Sequence, residues 1–308
     1  MQTNFTAEQL AEPRIAEADK ILRSCVHCGF CIATCPTYVL LGDERDSPRG
    51  RIYLIKDMLE GGKRPSAEVK THIDRCLSCL SCMTTCPSGV DYMHLVDIAR
   101  AEIEEKGTRS LKDRLMRRLL AFIIPYPRRM RLALRAAPLG RPFLPLMRRF
   151  GFKEMAAMLD LAPLLLPSAA KYDGPGTAST NAERRARVIL ATGCAQQVLR
   201  PSINDATVRL LARRGVDVVI ANGAGCCGAL VQHLGKEDAA RAHARANVIA
   251  WSKEIAKGPV DAIIINASGC GTTVKDYGHL LKGDRDYATS AAMVGALAKD
   301  VAEFVHDF

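Results

Sequence analysis

The sequence predicts an α+β multidomain protein in which a mainly helical N-terminal domain precedes an α/β domain built on a parallel sheet. Three observations support this fold class. A length of 308 residues favours more than one domain. Eight of the twelve cysteines lie within residues 25–86, between segments with helical periodicity. After residue 186, short apolar segments alternate with helical ones, as in sheets built from right-handed crossovers.

The N-terminal domain is predicted to contain three main helices around irregular cysteine loops. Residues 8–24 carry apolar side chains at helical spacing. A second helix is predicted to start at Asp46-Ser47-Pro48, with the proline in its first turn, and to end at Gly61-Gly62. A third covers residues 92–106 and is closed by Gly107.

A basic connector is predicted between the two domains. Residues 112–153 contain twelve basic side chains and one acid, Asp113, which gives +11 in a chain whose net charge is +10. Prolines, Pro138 among them, should break this stretch into short amphipathic pieces. Residues 171–182 are predicted to be a flexible linker. The predicted domains are 1–108 (cysteine-rich), 109–182 (connector) and 183–308 (α/β).

The C-terminal domain has the alternating pattern of a parallel α/β sheet. Strands are predicted at 188–191, 216–220 and 262–266, and helices at 202–214, 236–257 and 288–307.

Two four-cysteine runs of identical spacing dominate the N-terminal domain. Residues 25–35 and 76–86 both read C-x2-C-x2-C-x3-C, and each run is followed by proline. This is the pattern of bacterial two-cluster ferredoxins, in which the fourth cysteine of each run ligates the other cluster. Zinc is less favoured, because structural zinc sites prefer separated C-x2-C pairs. We therefore assign one [4Fe–4S] cluster to Cys25, Cys28, Cys31 and Cys86, and a second to Cys76, Cys79, Cys82 and Cys35.

A basic pentapeptide, Ser47-Pro48-Arg49-Gly50-Arg51, follows the first run. A cluster with four thiolates is anionic, so a nearby arginine would favour its reduced form. The same residues would also suit an ordinary solvated helix N-terminus, and the sequence leaves both interpretations open.

The other four cysteines each follow a predicted strand. Loops at the carboxyl ends of parallel strands share one rim of the sheet, where ligands bind. Four thiolates on one rim would form a metal or cluster site; the alternative is a set of buried small apolar residues. These candidate ligands are Cys194, Cys226, Cys227 and Cys270. We assign no catalytic residue.

Together these motifs resemble the iron–sulfur subunits of bacterial glycolate oxidase (glycolate dehydrogenase). The wider superfamily joins a dicluster ferredoxin to cysteine-rich domains named after a CCG motif. It includes heterodisulfide reductase, lactate-utilisation and anaerobic glycerol-3-phosphate dehydrogenase subunits. The likeness extends over residues 21–31, 47–56, 85–90, 193–196, 224–228 and 267–271.

The resemblance implies electron transfer, with the substrate chemistry on another chain. An FAD-binding partner subunit would oxidise glycolate to glyoxylate. This chain would relay electrons through its two clusters to a quinone-level acceptor at the membrane, and a third subunit would complete the complex. Equivalent subunits of lactate, glycerol-3-phosphate or heterodisulfide-reductase-like complexes are the alternative.

Two features depart from the family pattern. The CCG motif often ends in C-x-x-C, whereas Cys270 is followed by Gly-Thr-Thr273, so this site would bind a cluster, zinc or nothing. Family members also carry a second CCG repeat, and these 308 residues contain one. We therefore expect a fragment or a truncated gene product.

Composition and charge suggest where the protein acts. The N-terminus has no apolar leader, and no stretch of 18 apolar residues is present, so we expect a cytoplasmic protein with reduced cysteines. The basic connector would adsorb to the anionic inner face of the cytoplasmic membrane, or be an ordinary solvated or partner-docking face. A basic zinc module that binds nucleic acid is less favoured, because aromatic residues are only 5% of the chain and no nucleic-acid fold is recognisable.

Overall fold

The computed structural model describes residues 1–62, 64–106, 109–180 and 183–308. The chain forms two compact units, residues 1–114 with 231–237, and residues 115–230 with 238–308. Each unit has its own hydrophobic core. Gly107 and residues 181–182, at the predicted ends of a helix and a linker, lie outside the described residues.

Helices dominate the described part of the first unit. Its helices are α1 (Ala7–Leu10), α2 (Pro13–Ser24), α3 (Phe30–Ala33), α4 (Pro36–Leu41), α5 (Pro48–Gly61), α6 (Ala67–Asp74), α7 (Ser81–Thr85) and α8 (Tyr92–Glu105). The three predicted helices are confirmed as α2, α5 and α8. The first is shorter than expected, because Pro13 starts a new helix instead of continuing α1.

Helix α5 shows how local sequence sets these boundaries. Ser47 caps its start by accepting a hydrogen bond from the Gly50 N–H at 3.0 Å, and Pro48 is its first residue. Gly62 ends it in the left-handed conformation, with φ of 57°. Between these ends, Ile55 is fully buried in the core shared with α2 and α8.

The basic stretch is helical as well. It contains α9 (Leu111–Ile123), α10 (Pro127–Gly140), α11 (Leu144–Arg149) and α12 (Lys153–Leu161), and the division between the two units falls inside α9. The expected break at Pro138 is wrong, because this proline lies in the last turn of α10. There it removes one hydrogen bond, to the Leu134 carbonyl, and the helix ends two residues later.

The second unit contains the sheet. Its strands are β1 (Gly176–Ala178), β2 (Ala186–Ala191), β3 (Val216–Ile220), β4 (Ala262–Ile265) and β5 (Ala298–Asp300). The helices after residue 195 are α13 (Gln196–Leu199), α14 (Ser202–Arg213), α15 (Ala229–His233), α16 (Glu237–Ile255), α17 (Ser268–Lys275), α18 (Tyr277–Leu280), α19 (Ala288–Leu297) and α20 (Val301–Asp307). The division between the units also falls inside α15.

The strand order is β1-β3-β2-β4-β5. Strands β3, β2, β4 and β5 are parallel, which confirms the predicted parallel sheet, and β2 is the central strand, with Val188 opposite Val218 and Ala262. The sheet is mixed, because β1 pairs antiparallel with β3.

Two short strands correct the sequence prediction. Strand β1 lies where a flexible linker was expected, and its pairing with β3 orders it. Strand β5 interrupts the predicted terminal helix 288–307, because it pairs with β4. Asp300 then starts α20 with a capping box: its carboxylate accepts from the Ala302 N–H, and the Glu303 carboxylate accepts from the Asp300 N–H, both at 2.8 Å.

Candidate metal centres

The two cysteine runs fold into matching loops. The residue before the second cysteine has a left-handed backbone in both, with φ of 58° at His27 and 50° at Ser78. The residue after that cysteine repeats this conformation, with φ of 85° at Gly29 and 58° at Leu80. Of the described non-glycine residues, only His27, Ser78 and Leu80 have positive φ. Such strain concentrates at functional sites, which distinguishes these loops from the rest of the chain.

The structure gathers the eight N-terminal cysteines around two cavities. The first encloses about 440 Å³, counting the part open to solvent, and the second about 320 Å³. The cysteines around the first are Cys25, Cys28, Cys31, Cys82 and Cys86, and those around the second are Cys35, Cys76, Cys79 and Cys82. Cys82 borders both cavities, as do Pro48 and Tyr92. Each cavity therefore combines cysteines from both runs.

Burial differs within each group of cysteines. Cys25, Cys35 and Cys82 are buried, whereas Cys28 and Cys79, the second cysteines of their runs, are exposed. Both cavities thus have one thiol at the protein surface. All twelve cysteines of the chain are free, so none is committed to a disulfide.

A buried polar network supports the second cavity. Arg51, 1% exposed, donates from Nε to the His72 carbonyl at 2.7 Å and from Nη2 to Thr37 Oγ1 at 3.0 Å. Its Nη1 lies 3.8 Å from Cys35 Sγ. Burial would raise the pKa of the Cys35 thiol, but hydrogen bonds with Thr37 and the Arg51 cation lower it overall.

Asp46 compensates the buried arginine charge. Its carboxylate is fully buried, with Oδ1 at 3.4 Å from Arg51 Nη2 and 2.9 Å from His72 Nδ1. Oδ2 accepts from Arg75 Nη1 at 2.9 Å. Sequence reasoning treated Asp46 only as part of a helix start, and it missed Thr37 and His72. Nothing local marks them, because the network joins residues up to 29 positions apart.

The first cavity has fewer polar partners among the described contacts. The Val90 N–H donates to Cys86 Sγ at 3.4 Å. Burial raises the pKa of the Cys31 thiol. His27 stacks on Tyr53 with 4.3 Å between ring centroids, and burial lowers its pKa, so the ring is neutral at pH 7.

The four C-terminal cysteines also come together. The thiols of Cys194, Cys226, Cys227 and Cys270 lie close enough for neighbours in this order to shift one another's pKa. These cysteines follow β2, β3 and β4, at the rim where the carboxyl ends of parallel strands meet. Interactions with neighbouring thiols lower the pKa of Cys226 and Cys270 and raise that of Cys194 and Cys227.

Two buried side chains hold the Cys226-Cys227 loop in place. Asn247 accepts from the Gly225 N–H at 2.8 Å and donates to the Cys226 carbonyl at 2.9 Å. Tyr277 donates to the Cys227 carbonyl at 2.8 Å and accepts from Asn247 at 2.9 Å. Sequence reasoning missed both residues, since they lie on helices α16 and α18, 21 and 50 positions along the chain from the carbonyls that they bind.

Thr273 occupies the position at which the family pattern has a final cysteine. Its hydroxyl donates to the Gly269 carbonyl at 3.1 Å, within helix α17. The thiol set at this rim therefore consists of the four cysteines already described.

Two protein-family models match separate parts of the chain, one for each group of cysteines. Residues 24–90 match a 4Fe-4S dicluster domain, and residues 188–275 match a cysteine-rich domain. No solved structure matches the chain.

Several curated proteins are similar along most of the sequence. The glycolate oxidase iron-sulfur subunit of Escherichia coli is 45% identical over the whole chain, which covers 71% of that protein. The probable glycolate oxidase iron-sulfur subunit of Bacillus subtilis is 34% identical over 91% of the chain, which covers 64% of that protein. A heterodisulfide reductase subunit of Methanosarcina barkeri is 25% identical over 90% of the chain, which covers 61% of that protein. Because this chain is similar to the Escherichia coli protein along all of its own 308 residues, it belongs to the family of glycolate oxidase iron–sulfur subunits.

Proposed function

We propose that this chain is the electron-transfer subunit of a glycolate-oxidising complex. The observation that carries the proposal is the pair of cavities bordered by cysteines of both runs. Thiolates are the ligands of [4Fe–4S] clusters, and a donor set of free, converging thiols fits such a group. The clusters would supply one-electron transfer.

The grouping around the cavities supports a crossed set of ligands. One cluster is held by Cys25, Cys28, Cys31 and Cys86, and the other by Cys35, Cys76, Cys79 and Cys82. Cys82 lies between the two cavities and borders both. It is the third cysteine of the second run, so we assign it to the second cluster. Buried Cys25 and Cys35 exclude water from one side of each cavity, while exposed Cys28 and Cys79 lead to the surface.

The substrate chemistry belongs to partner chains. An FAD-binding subunit oxidises glycolate to glyoxylate and passes the electrons to this chain, a third subunit completes the complex, and a quinone-level acceptor receives the electrons. Support comes from the similarity to the glycolate oxidase iron-sulfur subunits of Escherichia coli and Bacillus subtilis.

Metal analysis tests the cluster assignment. The chain, purified without oxygen, should be brown and contain about eight iron atoms, four for each cluster. Cys28→Ser should affect one cluster and Cys79→Ser the other, so each variant should change the electron paramagnetic resonance signal of only one. A colourless protein with zinc in place of iron would contradict the proposal.

A second experiment tests the substrate. The intact complex, isolated through a tag on this chain, should reduce a redox dye with glycolate but not with lactate or glycerol 3-phosphate. The similarity to a heterodisulfide reductase subunit supports an alternative, in which this chain transfers electrons for a partner that acts on another substrate. Dye reduction by lactate or glycerol 3-phosphate alone would favour that alternative.

The rim cysteines are proposed to bind a zinc ion or a further cluster. The four neighbouring thiols at Cys194, Cys226, Cys227 and Cys270 support this, since thiolate sets bind both. The Cys226→Ser variant should lose one metal equivalent, zinc or cluster iron, while the ferredoxin-type signals persist. Unchanged metal content would show that this site is empty.

We also propose that the protein is cytoplasmic and that its basic helices bring it to an anionic membrane surface. Exposed apolar side chains accompany the arginines, with Leu132 70% and Leu139 77% exposed on α10. Arg129 lies over the rings of Phe122 and Tyr126, 4.1 Å from each centroid. This combination is typical of interfacial helices, in which bases meet lipid headgroups and apolar side chains insert shallowly.

Vesicle sedimentation tests the membrane proposal. The chain should sediment with vesicles containing anionic lipid but not with neutral ones, and high salt should release it. Leu132→Ser with Leu139→Ser should weaken binding to anionic vesicles. Equal binding to both kinds of vesicle, or none, would contradict the proposal. None of the described helices is long and apolar enough to cross a membrane.

A further inference from the structure

The two cavities differ in the hydrogen-bond donors that reach their thiols. At the second cavity, Arg51 Nη1 lies 3.8 Å from Cys35 Sγ, and the Tyr92 hydroxyl donates to Cys76 Sγ at 3.7 Å. Both donors are almost fully buried. At the first cavity, the described contacts on thiols come from the backbone, such as the Val90 N–H to Cys86 Sγ at 3.4 Å. The second group of thiols therefore has two buried side-chain donors, one of them a cation.

Arg51 is fixed from several sides. The turn Glu44–Asp46 before α5 supplies the Asp46 carboxylate, α6 supplies the His72 carbonyl, and α4 supplies the Thr37 hydroxyl. With its other donors satisfied in this way, the guanidinium can direct Nη1 at Cys35 without a rearrangement. The Asp46 charge is shared with Arg75, so it only partly cancels Arg51.

The arginine nearest the first cavity has a different environment. Arg49 is 32% exposed, and its Nε forms an ion pair with Glu44 at 2.8 Å. Its Nη1 donates to the His27 carbonyl at 3.5 Å, not to a thiol. Solvent and Glu44 therefore screen this charge, whereas Arg51 is shielded from solvent and only partly neutralised by Asp46.

Hydrogen bonds and positive charge at cluster sulfurs stabilise the more negative, reduced state. We infer that Arg51 and Tyr92 make the cluster held by Cys35, Cys76, Cys79 and Cys82 the more easily reduced of the two. This inference rests on the proposed function, because it requires clusters at both cavities. Each cluster gains one electron on reduction, and no bond is made or broken. Electrons that reach the two clusters would then settle mainly on the cluster held by Cys35, Cys76, Cys79 and Cys82.

A redox titration of the holo-protein, followed by electron paramagnetic resonance, tests the inference. The Cys28→Ser and Cys79→Ser variants identify the signal of each cluster. We expect the Cys79-linked signal to appear at the higher potential. Arg51→Gln should lower that midpoint by at least about 59 mV, which is tenfold in the one-electron equilibrium, and should leave the other midpoint unchanged.

Two further variants keep the test decisive. Arg49→Gln is the matched control and should move neither midpoint appreciably, because its charge is already screened. If Arg51→Gln fails to fold, Tyr92→Phe removes one donor from the same thiol group and should lower the same midpoint. A higher potential for the Cys28-linked signal, or equal shifts of both signals, would overturn the inference. Absence of both signals would instead contradict the proposed function.

Discussion

At the scale of single residues, Gly50 allows the buried network to form. A Cβ at this position would lie 2.0 Å from the Glu44 carbonyl oxygen, well inside van der Waals contact. The first turn of α5 can therefore approach the turn that carries Asp46 only because Gly50 has no side chain. The glycine thus brings Asp46 within reach of Arg51.

Gly50→Ala should lower the free energy of unfolding by about 1–3 kcal/mol, because the backbone must move to accept the methyl group. Gly61→Ala, in the same helix, is the control: its Cβ would meet nothing within 4 Å. That variant should be up to about 1 kcal/mol more stable than the wild type. Urea denaturation followed by circular dichroism measures both, and equal stability of the two variants would contradict the argument.

Asn247 has a comparable role in the second unit. Asn247→Ala leaves the Gly225 N–H and the Cys226 carbonyl without their side-chain partner in a buried site. The cost should be about 1–3 kcal/mol in thermal or urea unfolding. The thiols of Cys226 and Cys227 in metal-free protein should also react faster with a thiol reagent.

Lys253→Ala, an exposed change on the same helix α16, is the control for Asn247. It should alter stability by no more than about 0.5 kcal/mol. If Asn247→Ala were as harmless as this control, the loop would have to be held by Tyr277 alone.

At the scale of elements, predictability followed the length of the periodic signal. Strand β3 was predicted at its observed bounds, because five apolar-rich residues lie between clear turn signals. Strands β1 and β5 have three residues each, too few to show a period, and only pairing with β3 and β4 creates them. The two cysteine runs could be recognised because spacing alone defines them, whereas the contacts of Asp46 and Arg51 come from tertiary packing.

The segment 231–237 belongs to the first unit through its contacts with α8. A Cβ at Gly235 would lie 2.3 Å from the Arg100 carbonyl oxygen, and Lys236 pairs with Glu104 at 2.5 Å. His233 is enclosed at this contact. Burial, with a smaller effect of the Arg100 cation, lowers its pKa to about 4.

This histidine should make the contact sensitive to acid. Between the folded-state pKa of about 4 and the unfolded value of about 6.5, the unfolded chain binds more protons, so stability falls as the pH drops. Acidification from pH 6.5 to 5 should cost about 1.5 kcal/mol through this group. The free energy of unfolding of His233→Gln, measured over the same pH range, should lack this contribution. If it depended on pH as steeply as that of the wild type, the assignment to His233 would be wrong.

At the scale of the whole molecule, the net charge of +10 is concentrated in one stretch. Residues 112–153 contribute +11, so the remainder sums to −1. Each oxidised [4Fe–4S] core of +2 with four thiolates adds −2, so two clusters would bring the holo-protein to about +6. The part that carries electrons would then be nearly neutral or acidic, and the excess positive charge would lie in residues 112–153.

The two units should also differ in their dependence on the clusters. Cys25 and Cys82 belong to the core of the first unit, with Cys31, Cys76 and Cys86 packed against it, so the clusters would cross-link α2, α3, α7 and the loops between them. The strands of the second unit pack in separate cores. Because metal binding to such thiols contributes folding free energy, cluster loss should destabilise the first unit selectively.

Hydrogen exchange on the full-length chain measures this difference. After oxidation and iron chelation, amides of α2, α3 and α7 should lose protection, whereas those of β2, β3 and β4 should keep it. Chelator without oxidant is the control and should change neither set, because intact clusters do not release their iron readily. A uniform loss of protection over both units would mean that they fold as one cooperative body. Unchanged protection in α3 and α7 would mean that the strained cysteine loops are stable without metal, and that the protein alone supports the left-handed backbone at His27, Ser78 and Leu80.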